Sequence, residues 1–232
     1  MRIPLIITRP RAQAEEFAKE VERVCPGKYS AMISPLLEIR AEPASVDISG
    51  AQALLFSSRN AVRGFAARSS DRSIPAICVG DATAREATSL GFGATSAGGD
   101  VSALATVAAQ SYLEDFGHMV YFRGAETAGD LAGALMGEGI PCEERIIYDQ
   151  FPLFLTTEAR NALRRDACAA VVFSPRIASL LADEMDGLNP RTVTVVAISD
   201  NTASPLKSMA NAKVLTANMP NSRAILEILK NI

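Results

Sequence analysis

The chain lacks both an excess of basic charge and any long apolar segment. Its 23 Lys and Arg and 26 Asp and Glu residues leave a formal net charge of -3, which argues against a nucleic-acid-binding surface. No apolar run is long enough for a transmembrane helix, and the apolar part of residues 1–9 (MRIPLIITR) is too short for a signal peptide. We therefore expect a cytoplasmic protein that binds neither nucleic acid nor a membrane.

Residues suited to metal or strong acid–base chemistry are also scarce. The 4 Cys residues are widely spaced and form no CxxC pair, so reduced and buried thiols are expected. The single histidine, His118, precedes a predicted strand and so lies at the end of the sheet away from a ligand. Residues 98–100 (GGD) lack both the Lys-Ser/Thr of a P-loop and the dinucleotide spacing, and Asp100 is predicted to cap a helix over 101–113. We expect no metal and no cofactor.

The sequence repeats itself at long range. Residues 53–62 (ALLFSSRNAV) return as 170–179 (AVVFSPRIAS), displaced by 117 positions. Residues 77–84 (ICVGDATA) return at 196–203 (VAISDNTA), and residues 6–9 (IITR) return at 120–123 (VYFR). Since the echoes keep one order and similar displacements, we interpret the chain as a duplicated unit of roughly 115 residues, far above the periods of solenoid repeats.

Short apolar runs alternate with amphipathic helical segments along both halves. This alternation predicts an α/β protein with parallel sheets, with five strands in each repeat, as in flavodoxin-like doubly wound sheets. Helices are predicted over 126–136, 157–167 and 202–209, among others. Residues 29–40 and 143–151 are long for one strand, and we interpret each as a strand that crosses from one body to another.

In doubly wound sheets, ligands bind beyond the carboxyl ends of the strands. A Ser there caps the following helix, or else the exposed helical amides receive an anion, and the pattern leaves both alternatives open. The residues expected at this edge are Thr8, Arg9, Ser57, Ser58, Gly80, Arg123, Gly124, Ser174 and Ser199.

Five segments together resemble the uroporphyrinogen-III synthase family: residues 7–10 (ITRP), 56–62 (FSSRNAV), 79–84 (VGDATA), 121–124 (YFRG) and 147–148 (IY). The resemblance runs from the first strand to the last helix. It implies two flavodoxin-like lobes joined by a two-stranded β connector. On this chain the lobes would be 1–36 plus 152–232, and 41–146, with connector strands at 36–41 and 146–152.

The resemblance also implies a reaction in porphyrin and heme biosynthesis. The family closes the linear tetrapyrrole hydroxymethylbilane to uroporphyrinogen III, with inversion of the last ring and loss of water, and without a metal or organic cofactor. The substrate would lie in a cleft between the lobes, with its carboxylates held largely by backbone amides. We expect a monomer whose partners are this small molecule and the preceding bilane-forming enzyme.

The family's functional residues match particular positions of this chain. Tyr148 matches the tyrosine that assists departure of the substrate's hydroxyl, although a connector tyrosine could also only pack. Thr202 matches a family threonine, and Thr83 is its internal echo; both could simply cap helices. Residues 199–201 (SDN) replace the usual Gly-Pro turn. The expected substrate-binding residues are Arg9, Ser57, Ser58, Asn60, Gly80, Thr83, Arg123, Gly124, Ser174 and Thr202.

Three other classes of function compete with this one. A non-catalytic two-lobed module that binds a tetrapyrrole or another polyanion would show the same residues. A periplasmic solute-binding protein is disfavoured by the absence of a signal peptide. A nucleotide-dependent Rossmann enzyme is disfavoured by the absence of the glycine fingerprint.

Overall fold

A computed structural model describes residues 2–127, 129–164, 167–188 and 193–232. The chain forms two compact units: unit 1 comprises Met1–Glu38 and Phe151–Ile232, and unit 2 comprises Ile39–Gln150. That the units act as separate lobes stays a prediction. Within the described residues, no helix combines the length and the apolar character needed to cross a membrane.

The described strands and helices alternate along most of the chain. The strands are β1 (Ile3–Ile7), β2 (Tyr29–Ile33), β3 (Leu37–Ala41), β4 (Ala51–Phe56), β5 (Ala76–Cys78), β6 (Ala94–Ser96), β7 (His118–Gly124), β8 (Cys142–Pro152), β9 (Ala169–Val172), β10 (Val193–Ala197) and β11 (Ala212–Thr216). The α-helices are α1 (Arg11–Val24), α2 (Arg59–Ala66), α3 (Asp81–Ser89), α4 (Val101–Ser111), α5 (Leu131–Gly137), α6 (Thr157–Leu163), α7 (Pro175–Leu188), α8 (Asp200–Ala203) and α9 (Ser222–Asn231). Short 3-10 helices cover Glu114–Phe116 and Ser204–Leu206.

The two sheets have corresponding strand orders. Unit 1 has the order β11-β10-β9-β1-β2, which is the flavodoxin-like order when its strands are counted along the chain. Unit 2 has the order β3-β8-β7-β4-β5-β6. Since β4 echoes β9 and β7 echoes β1, the second sheet repeats the first in space, with β3 added at the edge. The neighbouring strands of unit 1, and those from β8 to β6 in unit 2, pair in parallel. The prediction of a duplicated α/β chain with parallel sheets is confirmed.

Both faces of each sheet are covered by helices, so the central strands are apolar on both sides. In β1, Leu5 and Ile7 belong to one buried cluster, while Ile6 belongs to the cluster on the opposite face. In unit 2, Phe56 and Phe122 lie on one face, and Leu55 and Tyr121 lie on the other. This double burial explains the near-continuous apolar runs that the sequence shows in place of strict alternation.

The prediction of one long strand over 29–40 is wrong. The chain forms β2, which pairs with β1 in unit 1, and then β3, which joins the sheet of unit 2 next to β8. Pro35 lies between the two strands and has no N–H to donate to a ladder. The flanking amides of Ser34 and Leu36 instead donate to the carbonyl oxygens of Ile7 and Thr8.

Three of the predicted helices have different bounds. The helix predicted at 126–136 begins only at Leu131, because Asp130 is its N-cap and accepts from the Gly133 amide. The helix predicted at 202–209 is the single turn α8 followed by a 3-10 turn, since Pro205 cannot continue an α-helical ladder. The helix predicted at 157–167 ends at Leu163, and its positions 165 and 166 lie outside the described residues.

Candidate active site

The predicted edge of unit 2 brings a serine and a tyrosine together. β4 ends at Phe56 and is followed by Ser57 and Ser58, while β8 passes the same edge at Tyr148. The Ser58 Oγ and the Tyr148 hydroxyl lie 2.9 Å apart and share a hydrogen bond. The two residues are far apart in sequence, so only the pairing of parallel strands makes this contact.

The start of α2 holds Ser58 in place. Ser58 has extended backbone and is the N-cap of the helix, where its Oγ accepts a hydrogen bond from the Ala61 amide at 3.1 Å. The helix is anchored by Phe65, whose ring lies 4.9 Å from that of Phe122 and 6.2 Å from that of Phe56. This aromatic contact with two strands fixes where the helix begins, and therefore where the serine hydroxyl lies.

A bulge in β8 places Tyr148. Arg123 of β7 lies opposite Ile146, but the next residue, Gly124, lies opposite Tyr148, so Ile147 is the extra residue. In a regular strand, successive side chains point to opposite faces. Here Ile147 and Tyr148 are both buried in the same apolar cluster. The bulge thus turns the phenol towards α2.

Gly124 leaves the room that the phenol occupies. A Cβ built on Gly124 would lie 2.6 Å from Cζ of Tyr148 and 2.8 Å from its hydroxyl oxygen. Real Cβ atoms do not approach other atoms so closely, so any other residue would displace the ring. The Gly124 prediction as a site residue therefore gains a physical reason: its role at this edge is to make space beside Tyr148.

The surroundings of Tyr148 keep its phenol protonated. Burial raises the pKa of Tyr148 above its ordinary value, and hydrogen bonds with Ser58, Gln150 and Asn60 oppose that rise without cancelling it. The side chain is only 5% exposed. At neutral pH the group is a neutral phenol, which can donate a proton or a hydrogen bond to a leaving oxygen.

A cavity of about 270 Å³ opens beside the tyrosine. Its lining includes Asp100 and Glu126, both acidic, together with four hydroxyl-bearing residues. The lining residues are Ser57, Ser58, Val79, Asp100, Val101, Glu126, Thr127 and Tyr148. Asp100 caps α4 as predicted, since its Oδ1 accepts from the Ala103 amide. Among the described residues, no group of three or more His, Cys, Asp or Glu is arranged to hold a metal ion.

Arg123 has internal partners. Its Nε and Nη2 both bind the Glu144 carboxylate at 2.9 Å, and its Nη1 donates to the carbonyl oxygens of Gly124 and Ala125. The guanidinium therefore holds the turn that follows β7. The structure gives Arg123 this internal role, and binding of a substrate carboxylate by it stays a prediction.

The corresponding edge of unit 1 contains the remaining predicted residues. Arg9 lies with its guanidinium carbon 4.0 Å from the centre of the Phe173 ring and donates to Gln13. Ser174 caps α7 through the Ile177 amide at 3.3 Å. Thr202 is buried, and its hydroxyl lies 3.1 Å from that of Ser199.

Comparison with known proteins decides the family. A family model described as uroporphyrinogen-III synthase HemD matches residues 21–227. The chain belongs to the uroporphyrinogen-III synthase family. The family prediction made from the sequence is confirmed. No curated protein sequence matches the chain.

Solved structures show the same fold. The uroporphyrinogen-III synthetase of Helicobacter pylori has a TM-score of 0.66 at 20% identity, over 100% of this chain and 99% of that chain. A mutant uroporphyrinogen III synthase from the bacterium Thermus thermophilus has a TM-score of 0.57 at 16% identity, over 99% of this chain and 98% of that chain. At these identities the likeness supports the fold, and the site rests on the geometry of this chain.

The turn that departs from the usual pattern of the uroporphyrinogen-III synthase family is built without strain. Ser199 has extended backbone, and its Oγ caps α8 by accepting from the Thr202 amide at 3.3 Å. Asp200 is exposed and pairs with Lys207 at 2.9 Å, so its charge has a partner. In unit 2, Gly80 is the N-cap of α3 in extended conformation, and Thr83 is buried in the first turn of that helix.

The sequence prediction missed Gln150 at this candidate site. Its side chain hydrogen-bonds to the Tyr148 phenol, together with that of Asn60. A signal was present, because residues two apart on a strand lie on one face. The acidic lining residue Glu126 lies before α5 and not within the predicted helix, because the Asp130 cap delays the start of that helix.

Proposed function

We propose that this chain closes hydroxymethylbilane to uroporphyrinogen III, with inversion of the last ring and loss of water. Membership of the uroporphyrinogen-III synthase family supports the reaction. The observation that carries the chemistry is the buried, protonated Tyr148 phenol at the carboxyl edge of a parallel sheet, 2.9 Å from Ser58. Ligands of such sheets bind at this edge.

The first step is departure of the hydroxyl at one end of the linear substrate. The C–O bond breaks, the hydroxyl takes a proton from the Tyr148 phenol, and it leaves as water. The carbon left behind is a cation conjugated with its pyrrole ring. A phenol with a raised pKa suits this role, because it stays protonated at neutral pH and releases its proton only to the developing hydroxide.

The second task is to choose which closure the cation undergoes. Hydroxymethylbilane left alone closes without inversion, so the enzyme must hold the chain in a different geometry. Orientation by many fixed contacts can do this without a strong acid or base. Candidate contacts are the amides and hydroxyls at the starts of α2 and α3, near Ser57, Asn60, Gly80 and Thr83, and those at the starts of α7 and α8.

The cavity beside Tyr148 suits one end of the substrate. Its volume of about 270 Å³ has room for one substituted pyrrole ring and not for four. The carboxylates Asp100 and Glu126 in its lining would repel acidic substituents and attract the developing cation. We propose that the reacting end of the bilane lies here, while the remaining rings use amides elsewhere. Arg9, Ser174 and Thr202 are the candidates on unit 1.

The cellular setting is also a proposal. We propose that the enzyme acts as a cytoplasmic monomer and receives its unstable substrate from the preceding bilane-forming enzyme. Size-exclusion chromatography with light scattering would measure the oligomeric state. A coupled assay would show whether turnover depends on the presence of that enzyme.

One assay tests the function directly. The purified protein is incubated with freshly made hydroxymethylbilane, and the product isomers are separated after oxidation to porphyrins. The expected product is the inverted isomer at a rate above spontaneous closure. Only the uninverted isomer at the spontaneous rate would overturn the proposal, and tight binding without turnover would favour the non-catalytic tetrapyrrole-binding module.

A further inference from the structure

We propose that Ser58 is a positioning residue that donates its hydroxyl proton to Tyr148, so that the phenol's own proton points into the cavity. The proposal rests on the proposed function and adds a residue to its mechanism. The sequence had placed Ser58 among the substrate-binding residues. The hydrogen-bond geometry assigns it to the tyrosine instead.

The protons available around Ser58 limit the hydrogen bonds that its hydroxyl can make. A serine hydroxyl has one proton to donate and two lone pairs that accept. One lone pair receives the Ala61 amide at 3.1 Å, as the N-cap of α2. The Tyr148 hydroxyl also lies within hydrogen-bond distance of the serine oxygen, at 2.9 Å. Whether Ser58 donates to the phenol oxygen or accepts from it decides where the phenol's proton lies.

Only one direction leaves Tyr148 able to act as an acid. If the phenol donated to Ser58, its single proton would be engaged inside the protein and unavailable to the substrate. If Ser58 donates, the phenol oxygen accepts, and Ser58 does not hold the phenol's proton, which can then face the cavity that both residues line. Continuous donation then runs from the Ala61 amide through Ser58 and Tyr148 to the leaving hydroxyl.

The start of α2 also lets these hydrogen bonds stabilise charge on the phenol oxygen. Successive hydrogen bonds in the same direction polarise one another. The partial positive charge of the helix N-terminus lies at the serine end and stabilises negative charge that develops on the phenol oxygen. Asn60 and Gln150 also hydrogen-bond to the phenol. Ser58 differs from both because the Ala61 amide of α2 donates to its oxygen and fixes the position of that oxygen.

A double-mutant cycle separates action through Tyr148 from direct substrate binding. The proteins are wild type, Ser58→Ala, Tyr148→Phe and the double variant. We expect Ser58→Ala to lower kcat about 10-fold when Tyr148 is present, and less than about 2-fold when Phe is present. Equal losses in both backgrounds, or a rise in KM alone, would overturn the proposal, because either result means that Ser58 contacts the substrate itself.

Two further variants separate this role from capping. Ser58→Thr keeps both the cap and the donor, so it should restore most of the activity. Asn221→Ala removes a matched cap from the exposed start of α9, where Asn221 accepts from the Ala224 amide at 3.0 Å. It should lower the melting temperature much as Ser58→Ala does, with unchanged kinetics. A kinetic loss in Asn221→Ala equal to that in Ser58→Ala would mean that lost capping explains the effect.

A measurement on the phenol itself does not depend on turnover. The protein is labelled with fluorotyrosine, whose phenol is more acidic, and the Tyr148 resonance is assigned by its loss in Tyr148→Phe. A donor removed from the phenol oxygen destabilises the phenolate, so Ser58→Ala should raise the pKa of this group. An unchanged or lower pKa would overturn the proposal, even in a protein that failed the product-isomer assay.

Discussion

Gly124 and Tyr148 face each other across β7 and β8 with no space for another atom between them. A Cβ on Gly124 would lie 2.6 Å from Cζ of the tyrosine. The two residues therefore depend on each other. Because Gly124 has no side chain, Tyr148 can place its hydroxyl beside Ser58. This relationship leads directly to a first prediction.

Gly124→Ala should displace the phenol and reduce activity by about the 10²-fold expected for loss of a positioned acid. Overpacking should also lower the free energy of unfolding by about 1–3 kcal/mol. Steady-state kinetics and chemical unfolding measure the two effects. Gly137→Ala is the control, because a Cβ there meets nothing within 4 Å. It should leave the kinetics unchanged and, since Gly137 lies in α5, should not lower the free energy of unfolding. Wild-type kinetics in Gly124→Ala would contradict the role assigned to this glycine.

Tyr148→Phe should slow formation of uroporphyrinogen III by about 10²-fold or more, because the leaving hydroxyl loses its proton donor. The product should remain the inverted isomer, since orientation rather than the phenol selects the closure. Tyr112→Phe is a matched control, since its ring is only partly buried and lies away from the cavity lining. Full activity in Tyr148→Phe would reduce this residue to a packing role.

The pH dependence of the same step follows from the raised pKa of Tyr148. The ordinary value is 10.0 and burial raises it, so the phenol stays protonated throughout the neutral range and loses its proton only above pH 10. The kcat–pH profile of the wild type should therefore show no loss of rate between pH 7 and about 9 that is due to Tyr148. A fall in kcat at acidic or neutral pH that is present in the wild type and absent in Tyr148→Phe would contradict the prediction.

Arg123→Ala should lower the free energy of unfolding. The change breaks a two-point contact with Glu144 and two bonds to backbone carbonyls, and the Arg123 side chain is only 14% exposed. We expect a loss of about 2 kcal/mol in the free energy of unfolding, with a similar loss for Glu144→Gln. Arg11→Ala breaks the exposed pair with Glu15 and should cost less than about 0.5 kcal/mol. A raised KM with unaltered stability would instead support a carboxylate-binding role for Arg123.

Tyr29→Phe should destabilise unit 1. The Tyr29 hydroxyl donates to the Leu229 carbonyl at 2.6 Å, in the last turn of α9, and its loss should cost about 1 kcal/mol. Burial raises the pKa of Tyr29 to about 12, from 10.0. The folded state therefore holds this proton more tightly than the unfolded chain does. The contribution is complete below pH 10 and is lost as the pH rises through about 12. Unfolding curves of both proteins at neutral and alkaline pH would show the difference shrinking, and a constant difference would contradict the assignment.

Local pattern in the sequence was enough for the class of fold and for the family. Apolar runs followed by helical spacing predict strands and helices because burial on both faces of a parallel sheet leaves that pattern. The internal echoes predict the duplication, since each half must bury a similar core. The edge that contains Ser58 and Gly124 also follows, because the carboxyl ends of parallel strands lie together.

Tertiary structure decided what lies next to what at that edge. Alternation along β8 would place Ile147 and Tyr148 on opposite faces, but a bulge opposite Gly124 puts both in one cluster. No local signal specifies such a bulge, because it depends on the register between β7 and β8, which are separated in the chain by α5. Arg123 was equally ambiguous, since a guanidinium can bind a substrate carboxylate or Glu144. The pairing with Glu144 on the neighbouring strand comes from the tertiary structure, and binding of a substrate carboxylate stays a prediction. The sequence determined which residues reach the edge, and the pairing of strands determined their partners, because hydrogen bonds between side chains depend on distances that sequence spacing does not set.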